Sequence, residues 1–542
     1  MLKLLRKFLP ILFIVLLPGC AKDELAPSIP VKEGTWWNDE VFYEVFVRSF
    51  YDSDGNGKGD FKGLTQKLDY LNDGNPNTNS DLGVTGIWLM PIFPSPSYHG
   101  YDVYDFRTVN TQYGTMDDFR EFVAAAHARG ISVIIDFVIN HTSSQHPWFT
   151  NSAQGASAEK RAWYIWDSTN PGYLGPWGQT VWHQKNGAYY YGLFWSGMPD
   201  LNYLEPKVTA EIKEITRFWY NDVQVDGFRI DAARHLIEDG QIQENTQATQ
   251  DWWSDFYAFQ KSIDKNLMTV GEVWTTTANI VPYTDKRLDY CFEFDLSYAI
   301  VSAAKNGNGG GLQSKIREVV NSYPDLQYGT FLTNHDQNRV IEELNGDLNK
   351  SKLAAGILLT LPGVPYLYYG EEVGMKGVKP DEDIRRPMQW TAGANAGFTT
   401  GTPWRAINSN YAAFNIETMK GDPNSLWNHY RSLINARKLH VALRRGTCEV
   451  MDPGNSSIVA FVRNSPGESM LVVHNTSSTQ KSDAQISCSS STLSPGTYAA
   501  TEILTGSVAG DLVVGTSGSF SGYTPYTTLA PFGSYLIKLV RK

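Results

Sequence analysis

Ionisable residues recur at the ends of short apolar runs: Asp136 with His141, Arg229 with Asp231, Glu272, and His335 with Asp336. A lone carboxylate at a strand end is usually a cap or a surface group. Asp231, Glu272 and Asp336, accompanied by Arg229, His141 and His335, are hard to explain that way, because burying so many unpaired charges is costly. Converging carboxylates suit acid–base work on an acetal. One attacks the anomeric carbon and another protonates the leaving oxygen, through an oxocarbenium-like transition state. Arg229, two residues before Asp231, favours the ionised form of that nucleophile. The acid has to keep its proton, so its site must raise its pKa. The two histidines can donate to sugar hydroxyls.

These groups need a scaffold that brings distant strand ends together. From 36 to 445, eight β-rich runs (42–50, 84–91, 131–139, 225–231, 268–274, 290–296, 330–334 and 364–369) alternate with helical patterns such as 117–129, 208–220 and 350–361. Eight strand–helix repeats predict an α/β fold, a closed (β/α)8 TIM barrel whose chemistry sits at the C-terminal ends of its strands. The ionisable residues end runs three, four, five and seven. The interval 141–205 is too long for a structureless loop and is read as an inserted domain after strand 3. A helix over 426–438 closes the barrel. Beyond 445, alternating runs between Gly/Ser/Pro turns predict a C-terminal all-β sandwich over 446–542.

Composition sets further limits. The net charge of −11 removes the basic footprint that nucleic-acid binding needs, so no nucleic acid is expected. Four cysteines in 542 residues exclude a disulfide scaffold, although Cys448 and Cys488 could pair. The 16 Trp, 29 Tyr and 25 Phe fill a core or stack on a flat ligand face, and composition does not choose. Residues 1–20 read as an export signal: Lys3, Arg6 and Lys7 precede an apolar run that ends at Cys20. The ending Leu17-Pro18-Gly19-Cys20 resembles a bacterial lipobox, which implies a lipid on Cys20, a tether over 21–35, and attachment to the bacterial membrane. The Lys22–acidic stretch after it suggests the outer membrane and the cell surface; plain secretion is the alternative.

The segments 136–141, 227–235, 271–274 and 331–336 together resemble the four conserved regions of the α-amylase family, glycoside hydrolase family 13, in order and in spacing. Residues 198–202 resemble its fifth region, and 363–371 its eighth-strand segment. The resemblance implies Asp231 as nucleophile, Glu272 as general acid and base, and Asp336 as the third carboxylate. It implies substrate contacts from Tyr101, Asp102, His141, Arg229, Arg234, His235 and His335, and retention of anomeric configuration. The 52–60 loop, with Asp52, Asp54, Asn56 and Asp60 at alternate positions around Gly57, has the first part of an EF-hand pattern without its closing Glu. It resembles the calcium loop of α-amylase relatives, which implies Ca2+ held by those four side chains and the Lys58 carbonyl. A second family calcium site would use Asn140, with no acidic partner evident in 141–205.

Ala232 after the nucleophile, Met198 in the fifth region and the 383–390 segment resemble an α-1,4-cleaving branch between oligo-1,6-glucosidases and neopullulanases. The first expectation is therefore an α-amylase acting on starch and malto-oligosaccharides. An α-glucosidase, a cyclomaltodextrinase or neopullulanase, or a transglycosylase would use the same residues. A catalytically silent glucan-binding relative is the non-enzyme alternative, and the complete set of carboxylates counts against it. Trp177, Trp182 and Trp195 either line the cleft or pack within the inserted domain. Endo or exo action, oligomeric state and protein partners in glucan uptake stay open.

Overall fold

A computed structural model describes residues 34–542. The signal, most of the tether and Cys20 lie outside the described residues. The first three barrel strands are β1 (Phe42–Val45), β2 (Gly86–Leu89) and β3 (Ser132–Phe137). Three short strands of the insertion follow: β4 (Trp166–Asp167), β5 (Trp182–Lys185) and β6 (Ala188–Tyr191). The barrel resumes with β7 (Gly227–Ile230), β8 (Met268–Gly271), β9 (Tyr290–Cys291), β10 (Gly329–Thr330) and β11 (Val364–Tyr368). All eight barrel strands are parallel, in the order β10-β11-β1-β2-β3-β7-β8-β9. A single parallel bridge, Phe292 to Gly329, joins β9 to β10 and brings the ring to near closure.

Alternation along each strand sorts the side chains. Tyr43, Val45, Ile87 and Leu89 enter the large outer core between strands and helices. Phe42, Trp88, Ile134, Met268, Val270 and Tyr366 fill the barrel interior, where Phe42 stacks on Tyr366 at 4.8 Å. Helices Met116–His127, Pro206–Arg217 and Leu348–Thr360 stand where helical periodicity places them. The first has a capping box between Thr115 and Asp118, which satisfies two otherwise orphaned amide groups.

Three runs depart most from expectation, and the seventh does so because only Gly329–Thr330 is strand while 331–334 continues as loop. The first strand stops at Val45, and Val47–Phe50 is a helical turn; the sixth strand keeps only Tyr290–Cys291 before the helix Phe294–Asn306 begins. Apart from Asp295, the first and sixth of these stretches are buried, so hydrophobicity alone could not separate strand from helix.

The insertion folds as an antiparallel sheet, β4-β6-β5, over a small core of Val181, Trp182, Tyr191 and Leu193. At the C-terminus, β12 (Thr447–Val450), β13 (Ile458–Ser465), β14 (Glu468–Asn475), β16 (Gly496–Glu502), β17 (Val508–Val514) and β19 (Ser534–Arg541) form one antiparallel sheet. The ribbon of β15 (Ile486–Cys488) and β18 (Phe520–Tyr523) shares its core. Arg463 of β13, fully buried, donates to the carbonyls of Thr360 and Gly446 and so locks this sheet to the barrel. Cys291, Cys448 and Cys488 are free thiols, so the Cys448–Cys488 disulfide does not form in this structure. Among the described residues no helix is long and apolar enough to cross a membrane.

Candidate active site

Parallel register explains the centre of the site. Asp136 on β3 stands opposite Arg229 on β7, and both side chains point into the barrel above the aromatic layer. Arg229 Nη1 donates to Asp136 at 2.8 Å and to Asp231 at 2.7 Å, and its Nη2 lies 3.1 Å from Glu272. One buried guanidinium therefore joins carboxylates from three neighbouring strands. The Ala232 amide adds a hydrogen bond to Glu272 at 3.2 Å. That amide is available because Ala232 turns into the left-handed region, at φ 48°, as the chain leaves β7.

A second cluster faces it across the barrel mouth. His335 Nδ1 donates to Glu44 of β1 at 2.6 Å, while its Nε2 lies 3.0 Å from Asp336 and 2.5 Å from the Tyr101 hydroxyl. Arg385 pairs with Asp336 at 2.8 Å and donates to the His335 carbonyl. Tyr101 lies parallel to His335, 5.5 Å between centroids, and its hydroxyl donates to Asp136 at 3.0 Å. The two clusters are thus one network.

The electrostatics differ from group to group. Burial lifts the Glu272 carboxyl above its ordinary value, with Arg229 opposing and Asp231 reinforcing. Burial also raises Asp231, so Arg229 limits the shift without reversing it. Asp136 is pushed up to about 7 by burial against Arg229. Asp336 goes the other way: despite burial, His335 and Arg385 hold it well below the usual carboxylate range. Burial would lower His335, but Asp336 and Glu44 outweigh it and push the imidazole up to about 10. His141 and His235 are lowered to about 4 by burial and are neutral at pH 7.

A cavity of about 720 Å3 opens over these groups. Tyr101, His141, Asp231, Arg234, His235, Glu272 and Asp336, all expected from the sequence, line it. His235 Nδ1 donates to the Gln243 carbonyl, and its Nε2 accepts from Arg234 at 3.0 Å. Arg229 and His335 sit just beneath the surface, holding the carboxylates. Asp102 does not line the cavity: its carboxylate accepts from Ser95 and Ser97, which fixes the turn that presents Tyr101. Of the three tryptophans, Trp177 lines the cavity and is 56% exposed, Trp182 is buried in the insertion, and Trp195 is exposed and not part of the cavity lining. The sequence reading overlooked Glu44, Asp136 as an Arg229 partner, Arg385, Phe194, Trp274 and Lys379. A signal existed for the first: Glu44 is the one acid in an otherwise apolar strand.

The 52–60 loop gathers Asp52, Asp54 and Asp60, with one oxygen from each within 4.8 Å of the others. Asp52 accepts from the amides of Asp54, Gly55 and Gly57 and from the Thr399 hydroxyl. Gly57 adopts φ +90°, and a Cβ there would meet the Thr402 carbonyl at 1.9 Å. Asn56 Oδ1 accepts from the Lys58 amide. Convergent carboxylate oxygens on a tight loop fit a hard cation. The acidic partner of Asn140 is Asp200, whose carboxylate accepts from Asn140 Nδ2 at 3.0 Å; Asn140 Oδ1 is buried without a partner.

A parallel eight-stranded barrel with acids at its C-terminal rim, an insertion after β3 and a C-terminal β module defines a barrel glycoside hydrolase. The family description "Alpha amylase, catalytic domain" matches residues 44–446, and the chain belongs to the α-amylase family. It is 43% identical over 444 residues to Alpha-amylase 3 of Dictyoglomus thermophilum, covering 81% of this chain and 85% of that one. It is 31% identical over 522 residues to a probable oligo-1,6-glucosidase 2 of Bacillus subtilis, covering 82% and 91%. The crystal structure of an alpha-amylase from H. orenii superposes with a TM-score of 0.80 at 38% identity, covering 92% of this chain and 99% of that one.

Proposed function

We propose that this glycoside hydrolase cleaves α-1,4-glucosidic bonds of starch and malto-oligosaccharides with retention of configuration. The observation that carries the mechanism is Arg229, which ties Asp231 and Glu272 together at the floor of one cavity. In the first step Asp231 attacks the anomeric carbon, and protonated Glu272 gives its proton to the departing glycosidic oxygen. In the second, Glu272 takes a proton from water, and the hydroxide oxygen displaces Asp231 from the same carbon. Burial gives Glu272 the raised pKa an acid needs. Asp336, kept ionised by His335 and Arg385, accepts sugar hydroxyls. Tyr101 supplies a flat face, and neutral His141 and His235 supply polar contacts on the two sides of the bond.

The α-1,4 preference is supported by Ala232 behind the nucleophile and Met198 on the cavity wall, and by the greater identity to Alpha-amylase 3. The oligo-1,6-glucosidase relative keeps an α-1,6 reading alive. A product profile on amylose, pullulan and isomaltose, with anomers followed by NMR, separates them. Asp231→Asn and Glu272→Gln should each lower starch hydrolysis by several orders of magnitude in folded protein, because both groups act in the transition state. Near-wild-type rates in either variant would refute the assignment.

Calcium fits the 52–60 loop, where Asp52, Asp54, Asn56 and Asp60 would hold it and it would order backbone without entering the chemistry. Lipid attachment at Cys20 rests on the signal-like N-terminus and places the enzyme on a bacterial membrane surface, facing its polymeric substrate.

A further inference from the structure

A second cavity, of about 790 Å3, lies between the inserted sheet and the segment that follows His235. It shares no lining residue with the reaction cavity. Its walls mix half-exposed rings and apolar side chains, Tyr173, Trp166 and Leu204, with hydrogen-bonding groups, Asp167, Asn202 and Glu238. Glu238 Oε1 is buried there without a hydrogen-bond partner. The cation in the lining, Arg161, is already stacked 3.7 Å over Trp166. Two acids and one engaged arginine disfavour an anionic ligand. Flat apolar surface beside acceptors suits a neutral, hydroxyl-rich molecule, whose C–H faces lie on rings while its hydroxyls donate to carboxylates.

The two cavities are mechanically joined. Tyr191, a wall of the second cavity, donates to Gln243 Oε1 at 2.8 Å. Gln243 Nε2 donates to the Leu174 carbonyl at 2.8 Å, and its own carbonyl accepts from His235 at 2.9 Å. Leu174 pairs with Thr180 to close the loop that carries Trp177 over the reaction cavity. One glutamine therefore links the second cavity to two residues of the reaction cavity.

We propose that this second cavity is an accessory site for a neutral oligosaccharide, whose occupancy braces the Trp177 loop. The inference rests on the glucan reading only for its probe, maltotriose. The test uses full-length enzyme whose Asp231 is covalently trapped by a 2-deoxy-2-fluoroglucosyl fluoride, with occupancy checked by mass spectrometry, and titrated calorimetrically. Trapped wild type should still bind one equivalent of maltotriose. Tyr173→Ala, and Ser168→Trp placed at the exposed mouth, should each weaken that binding at least tenfold, while trapping rates stay within twofold of wild type. No binding to trapped wild type, or unchanged binding in both variants, overturns the proposal. So does calcium binding that is lost in Glu238→Gln with no second maltotriose, which would give Glu238 to a cation. If the untrapped enzyme leaves amylose intact, the α-1,4 reading fails, and the trapped titration still decides the accessory site.

Discussion

Arg229→Gln tests the site most directly, because Arg229 joins three carboxylates with one guanidinium. At about 3 Å and an effective dielectric near 20, each contact whose carboxylate is ionised is worth roughly 5–6 kcal/mol of attraction, before the cost of burying the ions. Desolvation offsets most of this, and breaking a buried pair by removing one partner typically costs about 3–5 kcal/mol. Over a chain of this length, with about 2.1 cal/mol/K per residue, that is a fall of roughly 3–4 °C in melting temperature. The loss should also grow with pH. Asp136 titrates at about 7 with Arg229 present, and burial unopposed holds it higher without it. At pH 5 the native state is protonated at Asp136 in both proteins, so this group adds no difference. Above pH 7 the wild type releases that proton and the variant keeps it. Its folded state then binds one proton more than wild type, and the gap widens by about 1.4 kcal/mol per pH unit. Activity should fall by about a thousandfold or more, since Asp231, the proposed nucleophile, loses its charge partner. Thermal melts by circular dichroism from pH 5 to pH 8.5, beside kcat/KM on maltotriose, read both effects. A destabilisation independent of pH, or a variant melting with wild type at pH 8.5, would show that Arg229 does not hold these acids.

His335, raised to about 10, contributes stability that is complete below its unfolded pKa near 6.5 and is lost as pH rises toward 10. His335→Gln should therefore differ from wild type most at pH 6 and least at pH 10; a gap that widens with pH would contradict the Glu44–His335–Asp336 arrangement. Chelation should lower the melting temperature by an amount equivalent to about 2.7 kcal/mol when calcium had been at a hundred times its Kd, with little change in rate at low temperature. Asp54→Ala should abolish that calcium effect, and metal analysis that finds no calcium would remove the loop as a site. Trp177→Ala should raise KM for maltotriose severalfold with a smaller change in kcat; an unchanged KM would place the ring outside the substrate path. Cys20→Ala should release the enzyme from the membrane fraction, and unchanged association would dispose of the lipid anchor.

The chemistry was more legible than the geometry that sustains it. Strand-end acids announce themselves because Asp231, Glu272 and Asp336 each close an apolar run of a strand–helix pattern, Asp231 beside Arg229 and Asp336 beside His335. Glu44 and Arg385 did not, because their function is to hold His335 and Asp336, and that depends on strands one, seven and eight meeting across the ring. Asp102 misled for the same reason: its neighbour Tyr101 lines the cavity, while its own side chain folds back onto Ser95 and Ser97. Asp200, the partner of Asn140, is sixty residues away in sequence, near the end of the insertion, and no local spacing connects the two. The shortened strands at 42–45 and 290–291 were hidden because buried helix and buried strand share one composition.

The 52–60 loop bears on the order in which the molecule can be completed. Its Asp52 accepts from Thr399, 347 residues later in the chain, and its turn at Gly57 abuts Thr402. During synthesis from the N-terminus, β1 and its loop emerge long before either contact exists. The loop reaches its final shape only once β11 has docked beside β1 and the segment beyond it has wrapped back. A cation that needs that shape would be taken up late, as a seal on a barrel whose first and last strands have already met.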